Sequence, residues 1–286
     1  MAARRNRHGR RRNRGRFGFL YKLLSFLLIF AAILVGCVVF FRVNTVVVAG
    51  QSPYTDEEII GAAGVKQGDN LFTLNKFRMG NSVVRSLPYI DDVNFQRKFP
   101  DTLVIQVTQC RAVAVIRSSG EYWLMDAKGK LLERGDASLA EGKAEVLGLT
   151  PLAPAVGTSL VVSAEEQSKL DRLKELLAAI DAREMTGSLT GFIDLTSANK
   201  LRFGYGAELT IVFPMNADFS SKTFALRGTL LKMDEEGVPR TGTLDFTYGD
   251  GEAHLLPERW LPDTAAQAVQ ETLPEASEGQ GDTDQK

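Results

Sequence analysis

The chain has 286 residues, of which 44% are hydrophobic, and its formal net charge is −1. This length and composition allow one or two domains with a buried core, and no disulfide is expected, because Cys37 lies within the apolar residues 23–41 and Cys110 far beyond them. The small net charge hides an asymmetry, because residues 1–42 carry ten basic and no acidic side chains, which leaves −11 for the rest. The basic arm is not part of a predicted nucleic-acid-binding fold, which argues against a nucleic-acid-binding protein.

Residues 23–41 form an uncharged apolar stretch of nineteen residues. As a helix that rises 1.5 Å per residue it would measure about 28 Å, which matches the hydrocarbon core of a bilayer. Nine basic side chains precede it, and the first acidic residue of the chain is Asp56. Because Lys and Arg are retained on the cytoplasmic side, we expect residues 1–22 to be a cytoplasmic arm and everything after Arg42 to be exported.

A cleaved signal peptide and a lipoprotein signal are the two other interpretations of this apolar stretch. A cleaved signal peptide has a shorter apolar region, of about 7–15 residues. The sequence LVGC at 34–37 resembles the lipobox of bacterial lipoproteins, in which the cysteine is lipidated, but the next four residues are VVFF and prolong the apolar stretch. A single transmembrane helix is therefore the preferred prediction, and lipidation of Cys37 is the alternative.

Residues 43–115 predict a module of one strand, two helices and a hairpin. The β-branched run at 43–48 predicts the strand, and TDEE at 55–58 is a capping box that opens the first helix. Asn75 is expected to cap the second helix, whose inner side would carry Phe77, Val83, Val84 and Leu87. Period-two alternation predicts a hairpin, with strands at 93–97 and 103–107 around a turn at 99–102.

Residues 116–257 predict a larger antiparallel β domain with two helices. A hairpin signal at 121–132 is followed by a short strand at 144–149, three strands at 192–195, 200–205 and 208–213, and final strands at 243–248 and 252–256. The first helix is expected to begin with a capping box of Ser163 and Glu166, and to bury Leu170, Leu173, Leu177 and Ile180. The second is predicted at 219–233. Residues 258–286, rich in acids, predict a disordered tail.

The order of short motifs from residue 41 to 114 resembles that of a POTRA domain. These motifs are VAG at 48–50, TDEEI at 55–59, GDNLF at 68–72, LPYI at 87–90 and FPDTL at 99–103. With one anchor before it and a β domain behind it, the α+β chain resembles the bacterial cell-division family FtsQ, called DivIB in Gram-positive bacteria. One departure stands at residues 109–112, where QCRA replaces the Glu-Arg-x-Pro usual in the family.

The resemblance implies a non-enzymatic division scaffold at the septum. Its last strands would bind FtsB/DivIC-like partners that travel with FtsL-like proteins, and the POTRA-like domain would contact other divisome components. By the same resemblance, the partner-binding residues would be Phe246, Tyr248, Asp250, Gly251 and Leu256, with Tyr248 as the anchor. Strand addition at a sheet edge is the expected mode, and septal peptidoglycan synthesis is the process controlled.

Residues that could carry catalysis are few, so we expect no catalytic, cofactor or metal residues and no bound cofactor. The two histidines, His8 and His254, fall on opposite sides of the predicted membrane and cannot share a metal. Ser197 and Lys200 match the Ser-x-x-Lys pattern of penicillin-binding enzymes, although that serine should open a buried helix and these residues lie in a polar turn. A membrane-anchored cell-wall enzyme and a lipoprotein POTRA adaptor are therefore the alternative functions.

Overall fold

The computed structural model describes residues 15–249 and 253–263. The chain divides into two compact units. The first comprises the described residues up to Val83 together with Asp92–Thr108, and the second comprises Val84–Asp91 and the described residues from Gln109 onward. The predicted tail lies outside the described residues from residue 264 onward.

The first helix, α1, spans Gly15–Phe40 and contains a segment long and apolar enough to cross a membrane, Gly18–Phe40. At 1.5 Å per residue this segment is about 35 Å long, slightly longer than the roughly 30 Å of bilayer hydrocarbon. Its large apolar side chains are exposed around the helix, for example Phe26 at 69% and Leu28 at 68%. A helix that is apolar all round and uncovered by protein is typical of a membrane span. The predicted anchor is therefore a candidate transmembrane helix.

The rest of the first unit has the predicted order of strand, helix, helix, strand and strand. Its elements are β1 (Thr45–Ala49), α2 (Asp56–Ala63), α3 (Lys76–Ser86), β2 (Ile90–Lys98) and β3 (Thr102–Gln109). The sheet order is β1-β3-β2, with β1 parallel to β3. The buried apolar side chains of this unit include Ile59, Leu71, Met79, Val83, Phe95, Leu103 and Ile105.

Helix starts in this unit follow the local sequence signals. The amide of Glu58 donates to Thr55 Oγ1 at 3.3 Å, and the amide of Thr55 donates to Glu58 Oε2 at 2.8 Å, which completes the predicted capping box. Asn75 Oδ1 likewise accepts from the amide of Arg78 at 3.0 Å. The expected burial of Phe77 is wrong, because its side chain is 79% exposed. Met79 and Val83, four residues apart on one helix face, are the buried pair.

The second unit is built on one nine-stranded sheet of order β12-β11-β10-β9-β8-β7-β4-β5-β6. The strands are β4 (Ala112–Ser118), β5 (Glu121–Asp126), β6 (Leu131–Gly135), β7 (Ala144–Leu147), β8 (Leu189–Asp194), β9 (Lys200–Tyr205), β10 (Glu208–Pro214), β11 (Thr241–Asp245) and β12 (His254–Leu256). Two helices, α4 (Gln167–Asp181) and α5 (Phe219–Glu236), complete the unit. The predicted α+β class is confirmed.

The sheet is mixed, with both antiparallel and parallel pairs. The predicted antiparallel succession β8, β9, β10 is present, but β7 runs parallel to β4 and β8, and β11 runs parallel to β10. The two helices explain two of these pairs, because a parallel neighbour requires a crossover connection. Helix α4 lies in the chain between β7 and β8, and α5 lies between β10 and β11.

Helix α4 buries its predicted apolar stripe, but its start differs from the prediction. Leu170, Leu173, Leu177 and Ile180 are all at most 1% exposed. The expected Ser163–Glu166 capping box is absent, since the helix begins after Glu166 and this residue makes no side-chain cap. The Glu166 carboxylate instead accepts from the amide and the hydroxyl of Thr150, at 2.9 and 3.3 Å. A contact distant in sequence therefore displaces the local one.

The division between the two units falls earlier than residue 115, where it was expected. Strand β4 begins at Ala112 and belongs to the nine-stranded sheet, so residues 112–115 are part of the second unit. Residues 84–91, between the body of α3 and that of β2, also pack with the second unit. No local signal in the sequence marks this exchange of a short segment.

Candidate functional site

Strand β12 is one edge of the nine-stranded sheet. It pairs antiparallel with β11 through Thr243–Leu256, Leu244–Leu255 and Asp245–His254. Within the described part of the chain no strand pairs with its outer side. The outer amides and carbonyls of an edge strand remain available to an extended segment of another chain. All three residues of β12 are exposed.

The segment after β12 folds back against the sheet, and we call residues 257–262 the C-terminal strap. The hydroxyls of two buried threonines hold its backbone: Thr243 Oγ1 donates to the carbonyl of Glu258 at 2.8 Å, and Thr210 Oγ1 donates to that of Trp260 at 2.8 Å. Trp260 is half-buried and packs edge-on against Phe192, with ring centroids 5.5 Å apart. The ordered chain thus extends past residue 257, where the tail was expected to begin.

Trp260 also covers a charged group on the sheet. The Arg202 guanidinium lies 4.3 Å from the centroid of the Trp260 ring, and its Nη1 is 3.1 Å from Oδ2 of Asp194. Asp194 is 1% exposed, so this ion pair is buried, and the indole screens its cation from water. The strap therefore depends on residues of β8, β9, β10 and β11.

A cleft of about 750 Å³ lies beside the strap and β12. Its lining includes Lys200, Arg202, Asp245, Tyr248, Leu256 and Trp260. Lys200 Nζ lies 3.4 Å from Oδ2 of buried Asp245, so two of the three cations that line the cleft, Lys200 and Arg202, face carboxylates. These pairs are suited to holding strands together, and the exposed apolar side chains at the rim are suited to contact with protein.

The predicted partner-binding residues occupy very different environments. Tyr248 is 60% exposed and contacts the His254 ring edge-on at 5.1 Å, and Leu256 is 44% exposed on β12. Phe246 is 0% exposed and packs edge-on against Phe213 at 5.3 Å, so its side chain belongs to the core. Asp250 and Gly251 lie outside the described residues. The structure therefore brings Tyr248 and Leu256 to one cleft, whereas Phe246 belongs to the core.

The loop after β11 is held by a lysine of α5. Lys222 Nζ donates to the carbonyls of Phe246 and Gly249, each at 3.2 Å. Asp245 Oδ1 accepts from the amide of Thr247 at 2.7 Å and closes the turn that follows the strand. These bonds hold the backbone on both sides of Tyr248.

Ser197 and Lys200 do not form the arrangement expected of a Ser-x-x-Lys nucleophile. Ser197 Oγ accepts from the amides of Asn199 and Lys200 at 3.3 and 3.2 Å, which is a turn-stabilising role at the start of β9. Lys200 Nζ is directed to Asp245. The predicted polar turn is thus what the structure contains at this position.

A second cluster of ionisable groups surrounds Cys110 in the second unit. Side-chain ligand atoms of Asp91, Cys110 and Asp126 lie within 4.8 Å of one another. Burial, aided by the negative charge of Asp126, raises the pKa of the Cys110 thiol from 9.0 to about 12. Lys128 Nζ contacts both carboxylate oxygens of Asp91 at 2.7 Å, and Lys130 Nζ donates to the carbonyl of Ile90 at 2.8 Å.

This cluster does not fit a metal. The carboxylates that a metal would need are already hydrogen-bonded to other groups of the protein. Both oxygens of Asp91 are already engaged by an ammonium group, and Asp126 Oδ1 accepts from the amides of Lys128 and Lys130 at 2.9 and 2.8 Å. These contacts tie the segment 84–91 to the β5–β6 turn. The departure from the family pattern at residues 109–112 therefore introduces a buried thiol into a structural cluster.

Sequence reasoning missed the strap and its contacts with Arg202 and Phe192. The one local signal was Trp260 itself, because a tryptophan next to a polar tail is costly to leave in water. Its partners on β8 and β9 are more than fifty residues earlier in the chain, so no spacing could indicate them.

Comparison with known proteins agrees with this architecture. Residues 41–109 match the family model described as POTRA domain, FtsQ-type. The chain is 24% identical over 211 residues to the cell division protein DivIB of Clostridium tetani, an alignment that covers 73% of this chain and 77% of that protein.

Two further relatives match over shorter stretches. DivIB of Clostridium acetobutylicum is 32% identical over 94 residues, 33% of this chain and 37% of the relative. The cell division protein FtsQ of Geotalea daltonii is 34% identical over 100 residues, 34% of this chain and 36% of the relative. The chain thus matches little more than a third of the length of these two proteins. Together the matches confirm the resemblance to the FtsQ/DivIB family predicted from the sequence.

Proposed function

We propose that this chain is a membrane-anchored, non-enzymatic scaffold of bacterial cell division, which binds FtsB/DivIC-like and FtsL-like partners outside the membrane at the septum and so helps to control septal peptidoglycan synthesis. The similarity to proteins named FtsQ and DivIB supports the division role. The edge at β12, on whose outer side no strand of the described residues pairs, is the observation that carries the binding role.

The charge distribution supports an orientation with the N-terminus in the cytoplasm. Nine basic side chains precede the apolar stretch, and the acidic residues all follow it, from Asp56 onward. Moving this basic arm across a membrane would oppose the usual retention of Lys and Arg inside. Both folded units would then lie outside the membrane, where their partners' exported segments are.

Strand addition at β12 accounts for both affinity and selectivity. Its main-chain groups can pair with any extended segment, which gives hydrogen bonds without sequence preference. Selectivity would come from side chains at the rim, namely Tyr248 and Leu256, and aromatic anchors commonly contribute about 2 kcal/mol or more to an interface. Phe246 is buried, so its side chain would stabilise the domain without touching the partner.

The proposal is tested by binding measurements with the full chain in lipid nanodiscs. Labelled FtsB/DivIC-like ectodomain from the same organism is titrated against wild type, Tyr248→Ala and Leu256→Glu. We expect each variant to weaken binding at least tenfold, because one removes the anchor and the other places a charge at the edge.

Two substitutions on α5 serve as matched controls. Phe224 and Leu231 are 72% and 54% exposed, comparable to Tyr248 and Leu256, but they belong to helix α5 and not to the edge strand. Phe224→Ala and Leu231→Glu should leave affinity unchanged. Equal affinity for wild type and both edge variants would refute β12 as the docking edge, and equal loss in all four variants would show a general surface effect instead.

A further inference from the structure

Three phenylalanines form an exposed cluster at the C-terminal end of α1, and we call Phe41, Phe72 and Phe99 the aromatic foot. The Phe41 ring packs edge-on against those of Phe72 and Phe99, at centroid distances of 5.0 and 5.3 Å. Phe72 and Phe99 stack on each other at 5.2 Å. Phe72 nevertheless remains 51% exposed and Phe99 55% exposed. The cluster therefore leaves a contiguous apolar surface uncovered within the described chain.

Hydrogen bonds fix this cluster to the last turn of α1. Asn70 Nδ2 donates to the carbonyls of Cys37 and Val38, each at 3.2 Å. Both carbonyls lie in the last turn of α1, where carbonyls lack amide donors within the helix, and that of Cys37 also accepts from the amide of Phe41 at 3.3 Å. The amide of Leu71 donates to the carbonyl of Phe41 at 2.9 Å. Phe72 is thus held beside the helix end by its two preceding residues.

The turn that carries Phe99 is also hydrogen-bonded to the chain just after α1. The amide of Asn44 donates to the carbonyl of Asp101 at 2.9 Å, only three residues beyond the first ring of the foot. Two loops distant in sequence, at residues 70–72 and 99–101, are therefore both bonded to the chain that leaves α1. This rigid attachment sets the height of both rings relative to the helix.

The length of α1 places that height at the surface of the bilayer. The apolar segment Gly18–Phe40 measures about 35 Å, against roughly 30 Å of hydrocarbon, so its last turn reaches the headgroup region. Aromatic side chains are enriched at this level in membrane proteins. We propose that the aromatic foot inserts into the outer leaflet of the lipid bilayer, at the boundary of headgroups and acyl chains, and thereby seats the FtsQ-type POTRA domain on the membrane.

A lipid surface is the occupant that continuity favours, because the foot begins at the residue after α1 ends. Charges of both signs adjoin the rings: Arg42 and Lys98 are basic, and Asp69 and Asp101 are acidic. Net attraction to anionic headgroups is therefore not the source of binding. The seating should be equally strong on zwitterionic and anionic membranes.

This inference rests on the proposed membrane anchoring, and fluorescence quenching by brominated lipid separates the two. The full chain carries two tryptophans, Trp123 and Trp260, which supply a constant background. Phe72→Trp and Phe99→Trp are each placed in nanodiscs whose lipids bear bromine near the headgroup end of the acyl chain. Phe224→Trp, at another exposed phenylalanine, is the matched control.

We expect the added emission of Phe72→Trp and Phe99→Trp to be mostly lost in brominated nanodiscs, in zwitterionic and anionic lipid alike, and that of Phe224→Trp to persist. Circular dichroism of the same samples confirms that each variant is folded. Two reporter positions are used so that the test remains valid if one variant does not fold. Two results would contradict insertion of the aromatic foot while leaving the membrane anchor supported. In both, the protein enters nanodiscs, but there is no quenching at either position or quenching occurs only in anionic lipid. Failure to enter nanodiscs at all would overturn the anchor and the seating together.

Discussion

Replacing Trp260 with alanine should release the C-terminal strap and loosen the edge strand before it. The substitution removes the indole that lies 4.3 Å from the Arg202 guanidinium and 5.5 Å from the Phe192 ring. A partly desolvated cation–π contact contributes about 1–2 kcal/mol and an aromatic pair about 0.5–1.5 kcal/mol. Because Trp260 is half-buried, we expect the local opening free energy to fall by about 2–3 kcal/mol.

Amide hydrogen exchange with mass spectrometry measures this effect directly. A loss of 2–3 kcal/mol corresponds to about 30- to 150-fold faster exchange, because each 1.36 kcal/mol is a factor of ten. The acceleration should be confined to peptides that contain β12 and the strap, since the hydroxyls of Thr210 and Thr243 bond only to that segment's backbone. Peptides over β1 should exchange as in wild type.

Trp260→Phe is the graded control for this experiment. A phenylalanine ring can keep part of the contact with Phe192 and Arg202, so its exchange should lie between those of wild type and Trp260→Ala. Exchange in Trp260→Ala that changes by less than threefold would refute the reasoning, because the strap would then be held by its backbone bonds alone. In that case β12 would owe its order to β11 and not to the strap.

Three further perturbations have expected outcomes. Burial raises the pKa of the Cys110 thiol to about 12, so the unfolded chain loses this proton at a lower pH than the folded chain does. The free energy of unfolding should therefore fall by up to about 1.4 kcal/mol per pH unit between pH 9 and 12. Urea titrations should show that Cys110→Ala lacks this part of the pH dependence. Gly242→Ala places a Cβ 2.2 Å from the Leu256 carbonyl oxygen at a φ of +95°, so β12 should detach and exchange at the rate of open chain, and an unchanged rate would contradict the pairing. Thr55→Ala removes the cap of α2 and should cost about 1 kcal/mol by thermal unfolding, whereas Thr55→Ser should restore it.

Sequence patterns predicted the elements whose causes are local. The capping box at Thr55 and Glu58, the cap at Asn75 and the buried stripe of α4 depend only on residues within a few turns, and each is present. The expected box at Ser163 failed because Glu166 is bonded to Thr150, sixteen residues away. Local signals are reliable only where no distant partner competes for the same side chain.

The candidate site was only partly predictable for the same reason. Tyr248 and Leu256 could be assigned to a strand region by resemblance, and both are exposed in the structure. Their closeness to Trp260 depends on a strap whose partners are dispersed over four strands. The parallel pairs of the sheet were likewise hidden, because a crossover is decided by how helices pack on the sheet and not by the strand sequence.

The two edges of the nine-stranded sheet differ in a way that favours β12 as the docking edge. Edge strands that must stay unpaired are usually protected by charge. The opposite edge, β6, carries Glu133, which accepts from the Tyr89 hydroxyl at 2.6 Å, and Arg134, which lies 3.6 Å from Glu121.

Strand β12 lacks that protection, because two of its three residues are leucines exposed at 40% and 44%. Its shortness and the proline that follows Leu256 limit the number of main-chain bonds that any added strand can form. Backbone pairing alone would therefore be weak, and a partner must also satisfy the exposed leucines and Tyr248. If the proposed function is right, an edge built in this way would exclude indiscriminate strand addition and remain open to one complementary chain.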